Sequence, residues 1–235
     1  FTNNDFAMDK RTAQALVKDY LPDKEIRWCD CVSIRNLDRN MITSMSKAGC
    51  IQLLTGLETG SPKLLRYVNK NSGLTNLNDF SKIFDQCRKE NIWMNVDLIA
   101  GFPYERKADI LNTMRFLYHH KKSINGIFIN KFILMPGSEF AKNPEKYGIE
   151  LLKEQKVINK NRNNYRTLYF GEKYGYSWSE KQKQIQYSQD RLSVFIQKFF
   201  PTQFYQHIPM FYLYNHFNEK SKILDFLNKD EDYSG

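Results

Sequence analysis

Long apolar runs are what this chain lacks first. No stretch of about 18 uninterrupted apolar residues occurs, so a membrane-spanning helix is not expected. The first residues carry no basic stretch followed by an apolar segment of the kind that directs export, and the cytoplasm is the compartment these absences imply. Cysteine is scarce as well: the four are Cys29, Cys31, Cys50 and Cys87. They read as reduced thiols, and Cys29 and Cys31, which lack the further ligands that would turn a C-x-C into a closed zinc site, as thiols buried on a strand. Clusters of one charge are missing too. The net charge is +9, but Lys and Arg are spread along the chain with acids among them, which argues against a dedicated nucleic-acid surface. There is no solenoid-type repeat. Nor is there an initiator Met: residues 1–6 read as the end of a strand entering a polar loop, so a piece of a longer protein is expected.

What the chain does have is 41% hydrophobic content over 235 residues, enough for a sizeable core. That content is periodic. Ala13, Leu16, Val17 and Tyr20 recur at helical spacing over 9–20, with Asp9 as N-cap and Leu21-Pro22-Asp23 as the stop. Residues 26–34 alternate as a strand, placing Ile26, Trp28, Val32 and Ile34 on one face and Cys29, Cys31, Ser33 and Arg35 on the other. A short helix over 39–48 ends at Gly49. A buried strand over 51–55 follows, with the tip Gly56-Leu57-Glu58-Thr59-Gly60, and Ser61-Pro62 starts the next helix. A helix over 76–90 leads into a strand over 92–100. A helix from 107 leads into another strand over 126–134, which ends at Met135-Pro136-Gly137-Ser138. Strands alternating with helices, each strand nearly continuous in apolar content, predict a parallel sheet covered by helices, and the class is α/β.

Strand parity then predicts what converges. Arg35, Glu58 and the backbone at Gly101 are expected at the carboxyl ends of three strands, where ligands sit in parallel α/β folds. Gln52, Leu54, Gly56 and Glu58 share one face of the second strand, and Asn95, Asp97, Ile99 and Gly101 share one face of the third. A cation, a carboxylate and open backbone suit a ligand with both a carboxylate and an ammonium or hydroxyls. The alternative is that Arg35 and Glu58 pair with each other.

The ordered set Arg35, Met45 to Cys50, Gly56-Leu57-Glu58-Thr59-Gly60-Ser61, Asp97-Leu98-Ile99-Ala100-Gly101-Phe102-Pro103 and Met135-Pro136-Gly137-Ser138 resembles the radical S-adenosylmethionine (radical SAM) enzymes, most closely the cobalamin-dependent branch. The resemblance covers 1–149. It implies a partial (β/α) barrel over 1–140, followed by a mostly helical extension over 141–235. It further implies S-adenosylmethionine in the lumen on a 4Fe-4S cluster, with a cobalamin-binding domain that often precedes the barrel. By position, Arg35 and Glu58 would contact the polar parts of S-adenosylmethionine. Ile99, Ala100 and Gly101 would lie along the adenine, and Phe132 and Met135 would close the last strand beside it. Asn4 falls where the family tends to have an acidic pair before an Asn. The family's C-x-x-x-C-x-x-C loop, whose three thiolates hold the cluster, does not occur, so this polypeptide alone is expected to bind no cluster and to catalyse nothing.

The function implied is the carboxyl-terminal part of a radical SAM enzyme, a methyltransferase or peptide-modifying maturase, acting on a small molecule or peptide and on no membrane. Two other readings stand beside it. One is an α/β barrel doing acid-base chemistry with Glu58 and Asp97. The other is a degenerate barrel that binds a peptide or nucleotide without turnover. His119 and His120, at a helix end beside Lys121 and Lys122, read as capping or exposed residues.

Overall fold

Helices begin where the sequence carries capping side chains. The computed structural model describes residues 6, 9–21, 26–68, 76–152, 167–200 and 207–229. Helix α1 (Lys10–Ala15) starts at Asp9, whose carboxylate accepts from the Arg11 N–H, and continues as a wider turn over Leu16–Tyr20. Then come β1 (Trp28–Cys31), α2 (Arg39–Lys47, capped by Asp38), β2 (Cys50–Glu58) and α3 (Pro62–Val68). Helix α4 (Leu77–Lys89) opens on a reciprocal cap, Asn76 accepting from the Asp79 N–H and Asp79 from the Asn76 N–H. Strand β3 (Trp93–Ala100), helix α5 (Lys107–His119) and strand β4 (Gly126–Lys131) complete the alternation. Asn4, with Asn3 and Asp5, lies outside the described residues, as do Pro22, the polar stretch 153–164 and residues 201–206.

The four strands form one sheet in the order β1-β2-β3-β4, all parallel, and helices make the crossovers. The α/β reading therefore holds. One sheet face carries Leu53, Leu57, Val96, Leu98, Ala100 and Ile127 into the main core, against Met45, Phe84 and Leu117 of the helices. Phe84, Met45 and Leu117 are fully buried. Each such side chain contributes roughly 1.5–3 kcal/mol by leaving water, so this layer holds the sheet. The opposite, inner face carries Leu54, Gly56, Asn95, Asp97 and Ile99, as strand parity predicts for these positions.

Strand β1 is shorter than its alternation predicts. Pairing with β2 runs only from Trp28 to Cys31, with a register shift after Trp28. Ile26, expected inside, is 42% exposed. Trp28 takes the buried place instead, stacked near Phe6 at 4.6 Å and donating its indole N–H to the Ala48 carbonyl. At the turn before β2, Gly49 (φ 86°) approaches the Ile26 carbonyl so closely that any Cβ there would overlap it.

Beyond residue 140 the chain packs back on the same sheet. Helix α6 (Glu139–Lys142) is followed by β5 (Ile149–Leu151) and β6 (Phe170–Glu172), an antiparallel pair, and then by α7 (Trp178–Phe199), α8 (His207–Phe217) and α9 (Lys220–Lys229). Leu192 and Ile196 of α7 enter the main core. Tyr214 and Ile223 pack on Ile51 and Trp93 at the amino end of the sheet. The buried amine of Lys220 fastens that end by donating to the Ile92 carbonyl at 3.1 Å and to Asn125 Oδ1 at 3.0 Å. Among the described residues no helix is long and apolar enough to cross a membrane.

Candidate ligand site on the inner face of the sheet

The tip of β2 is built around a bulge. Gly56 stands opposite Asp97 and Glu58 opposite Leu98, so Leu57 is the extra residue. Leu57 turns into the helix-side core, fully buried. Glu58 then adopts φ 62°, a left-handed conformation that costs a non-glycine residue roughly 1–3 kcal/mol. The surroundings hold it there. The Gly60 N–H donates to Thr113 Oγ1 at 3.1 Å, and Ser61 Oγ donates to Asp109 Oδ1 at 2.6 Å. Lys63 closes the same carboxylate at 2.7 Å. Gly60 is required by close approach, because a Cβ there would lie 2.8 Å from both Phe116 Cβ and Thr113 Cα on α5. The bulge leaves the Glu58 carboxylate folded over Gly56, in the space a side chain at 56 would fill.

This carboxylate has Asp97 beside it and no hydrogen bond or ion pair to any described residue. Burial, and second the charge of Asp97, push Glu58 up to about 7, and burial also raises Asp97. The repulsion falls on Glu58, the first of the two to protonate. With a native pKa near 7 against an unfolded value of 4.5, the native state binds the extra proton between those values. The contribution of Glu58 to stability is therefore full below about pH 4.5 and is lost as pH rises to 7, a change of up to about 3 kcal/mol. Glu58→Gln is expected to flatten that part of the profile and to exceed the native protein in stability at pH 8. Urea titrations at pH 5, 6, 7 and 8 would measure this, and parallel profiles for the two proteins would refute it.

The remaining predicted residues are dispersed. Arg35 does not follow strand parity into the inner face: pairing ends at Cys31 and the chain turns through a short 3-10 segment, Ile34–Asn36. Arg35 is exposed there and lines a groove with Asp38, Asp79, Ile83 and Lys89 beside α4. No Arg35–Glu58 ion pair exists. Ile99 is half-buried and joins an aromatic cluster at the carboxyl end with Phe102, Phe132, Tyr147 and Phe170. Phe132 meets Phe102, Phe140 and Phe170 at ring distances of 5.4, 5.4 and 5.5 Å. Ala100 faces the opposite, helix-side core. Gly101 (φ 91°) donates its N–H to Glu105 Oε1 at 3.1 Å, and Ile185 of α7 covers its Cα. Met135 is half-buried, its carbonyl accepting from Ser138 Oγ at 2.7 Å.

A buried ionic network supports this end of the sheet, and the sequence reading missed it. Glu172 accepts from Arg106 at 2.7 Å, Lys181 at 3.0 Å and the Tyr104 N–H at 2.7 Å. Burial acts to raise its carboxyl, but Arg106, Lys181 and the Tyr104 N–H outweigh that and hold it below its usual range. Lys181 also donates to the Phe102 carbonyl. The loop after β3 is thus pinned at Gly101, Phe102 and Tyr104 from α7 and β6.

The thiols do not assemble a cluster site. Cys50 and Cys87 lie in the helix-side core, where burial raises both, while Cys29 and Cys31 are half-buried on β1. Among the described residues no three His, Cys, Asp or Glu side chains are placed to hold a metal ion. Three converging thiolates, which a 4Fe-4S cluster with one open iron needs, are therefore not supplied by these residues.

No family model and no curated protein sequence matches this chain. Solved structures do. The radical S-adenosylmethionine methyltransferase TsrM from Kitasatospora setae, with cobalamin and a 4Fe-4S cluster bound, superposes with a TM-score of 0.58 at 13% identity, covering 78% of this chain and 42% of that one. TsrM from the same organism, with its tryptophan substrate and the S-adenosylmethionine analogue aza-SAM bound, gives a TM-score of 0.54 at 15% identity, covering 67% and 32%. The chain thus spans less than half the length of these neighbours. What it shares with them is the fold, the four-stranded parallel sheet with its outer helices.

Proposed function

We propose that this chain is part of a radical SAM enzyme of the cobalamin-dependent branch, and that the inner face of its sheet binds S-adenosylmethionine. The observation that carries the reading is Glu58. A strained bulge presents its carboxylate at the carboxyl end of a parallel strand, with no cation among the described residues to neutralise it. S-adenosylmethionine brings an ammonium, a sulfonium and two ribose hydroxyls, groups that such a carboxylate recognises. Ile99 and Phe132 offer the apolar wall at that end for an adenine ring. Ala100 and Gly101 would contribute backbone at most, since one side chain faces the opposite core and Ile185 covers the other residue. In radical SAM enzymes this ligand supplies hydrogen abstraction from a substrate. That substrate is here a small molecule or a peptide.

Equilibrium dialysis with labelled S-adenosylmethionine at pH 8 tests the assignment. Glu58→Gln is expected to weaken binding by about tenfold or more, the value of one charge-assisted contact. No binding by the native chain, or equal binding by the variant, sinks it. A barrel that binds without turnover is the second reading, favoured by thiols that do not converge among the described residues. Anaerobic iron-sulfide reconstitution of the complete protein that carries the cluster loop, followed by a reductant, separates the two: ligand recovered intact from a protein that takes up iron supports binding alone, and release of 5'-deoxyadenosine supports the enzyme.

A further inference from the structure

Below Glu58, the inner face holds hydrogen-bond acceptors that no described residue uses. Asn95 is 2% exposed, and its Oδ1 has no hydrogen-bond partner among the described residues. That oxygen lies on the inner face, because it occupies the space that a side chain on Gly126, its register partner on β4, would fill. Asp97, two residues further along β3, is half-buried, with no hydrogen bond or ion pair to any described residue. A buried amide oxygen left unpaired costs about 1–3 kcal/mol, and an uncompensated carboxylate beside a second one is costlier still. An apolar residue would serve the fold better at position 95. Asn there makes sense if something donates to it.

The chemistry of the donor follows from what is present. Glu58, Asp97 and Asn95 Oδ1 are acceptors, and two of the three carry charge; the buried donor atoms nearest them in register, Gln52 Nε2 and Trp93 Nε1, make no hydrogen bond to Asn95. Hydroxyl groups would satisfy the acceptors and leave the charge; a cation satisfies both. A metal ion needs its oxygens within about 2.0–2.6 Å of one point, whereas alternate residues on a strand stand roughly 6–7 Å apart. No three acidic, His or Cys side chains among the described residues converge on a metal position. An extended organic cation fits this spacing. Phe128, opposite Asp97 in the register and half-buried, adds an aromatic wall of the kind that attracts ammonium groups.

We propose that Asp97 and Asn95 form a subsite for the primary ammonium group of a second ligand, an amine-bearing substrate lying nearer the floor of the sheet than Glu58. The subsite rests on the reading of this face as a ligand chamber.

Saturation-transfer NMR on the full chain at pH 8 and constant ionic strength tests it, with butylammonium as the probe and butanol as its neutral counterpart. The native chain is expected to bind butylammonium at least about tenfold more tightly than butanol, and Asp97→Asn to lose that preference. Asn95→Leu is expected to weaken butylammonium binding several-fold while melting at a higher temperature than the native chain, since it deletes an unpaired buried acceptor. That variant carries the test if Asp97→Asn does not fold. Equal responses to butylammonium and butanol overturn the proposal, as does complete displacement of butylammonium by equimolar Mg²⁺, or a lowered melting point with amine binding intact in Asn95→Leu. Parallel titration with S-adenosylmethionine separates the two assignments. A chain that binds S-adenosylmethionine and not butylammonium loses the subsite and keeps the proposed function; one that binds butylammonium alone does the reverse.

Discussion

Glu172→Gln is expected to cost roughly 3–5 kcal/mol of folding stability, the range for removing one partner from a buried ion pair. Glu172 and Lys181 are both fully buried at the side chain, and Arg106 is about one-third exposed. Gln keeps an oxygen for the Tyr104 N–H but withdraws the negative charge that both cations face. Lys181 then keeps only neutral hydrogen-bond acceptors, the Phe102 carbonyl and Gln184 Oε1, with the more distant Glu105 as its remaining counter-charge, in a place where an ammonium cannot reach water. Against a total stability of about 5–15 kcal/mol, that is a large fraction. The melting temperature should fall by about 10 °C for a chain of this size. Lys181→Met is the informative contrast. It removes the buried cation and leaves Arg106 to neutralise Glu172, so it should cost less. Urea denaturation of both variants checks the order. A loss below about 1 kcal/mol for Glu172→Gln would mean that water reaches Lys181 and that the network does not pin the loop.

Gly101→Val is the second large effect, again roughly 3–5 kcal/mol, from two causes that add. The backbone at φ 91° is one that a β-branched residue resists, and any Cβ there would overlap Ile185 Cγ1. Gly137 separates the causes. It has a similar φ of 82° with nothing within 4 Å of a would-be Cβ, so Gly137→Ala should cost only about 1 kcal/mol, for strain alone. The crowding at 101 can be relieved from the other side: Ile185→Ala in the Gly101→Ala background should recover about 1–2 kcal/mol as a coupling energy. Additive losses in that double-mutant cycle would show that Ile185 is not what excludes a side chain. The outcome bears on function, because it decides whether Gly101 is a glycine for the sake of α7 or for a ligand.

How far the site was legible in the sequence can be judged residue by residue. Asn95, Asp97 and Ile99 were placed correctly on one face and Val96, Leu98 and Ala100 on the other, because side chains on a strand alternate whatever surrounds them. Ser61 and Pro62 announced the start of α3, because capping is settled within four residues. Arg35 was misplaced because alternation was carried beyond the point where the strand stops pairing. That point depends on where β2 stops offering partners, which the residues from 26 to 35 do not encode. Glu172 and Lys181 gave no local signal, because what they pin, Arg106 and the Phe102 carbonyl, lies 66 and 79 positions away in the chain.

Gly101 marks the division most sharply. Its sequence context alone announced a strand ending in a tight turn, and that was right. Why the residue is glycine was decided only in three dimensions, by the approach of a helix that begins at Trp178. The same holds for Glu58. Its position at a strand tip was readable from pattern, while the burial and the neighbouring Asp97, which push its pKa up to about 7, exist only once β2 and β3 are paired. Periodicity and capping are short-range and survive in the sequence. Charge compensation and close packing depend on distances between segments remote in the chain, and only the folded sheet sets those distances.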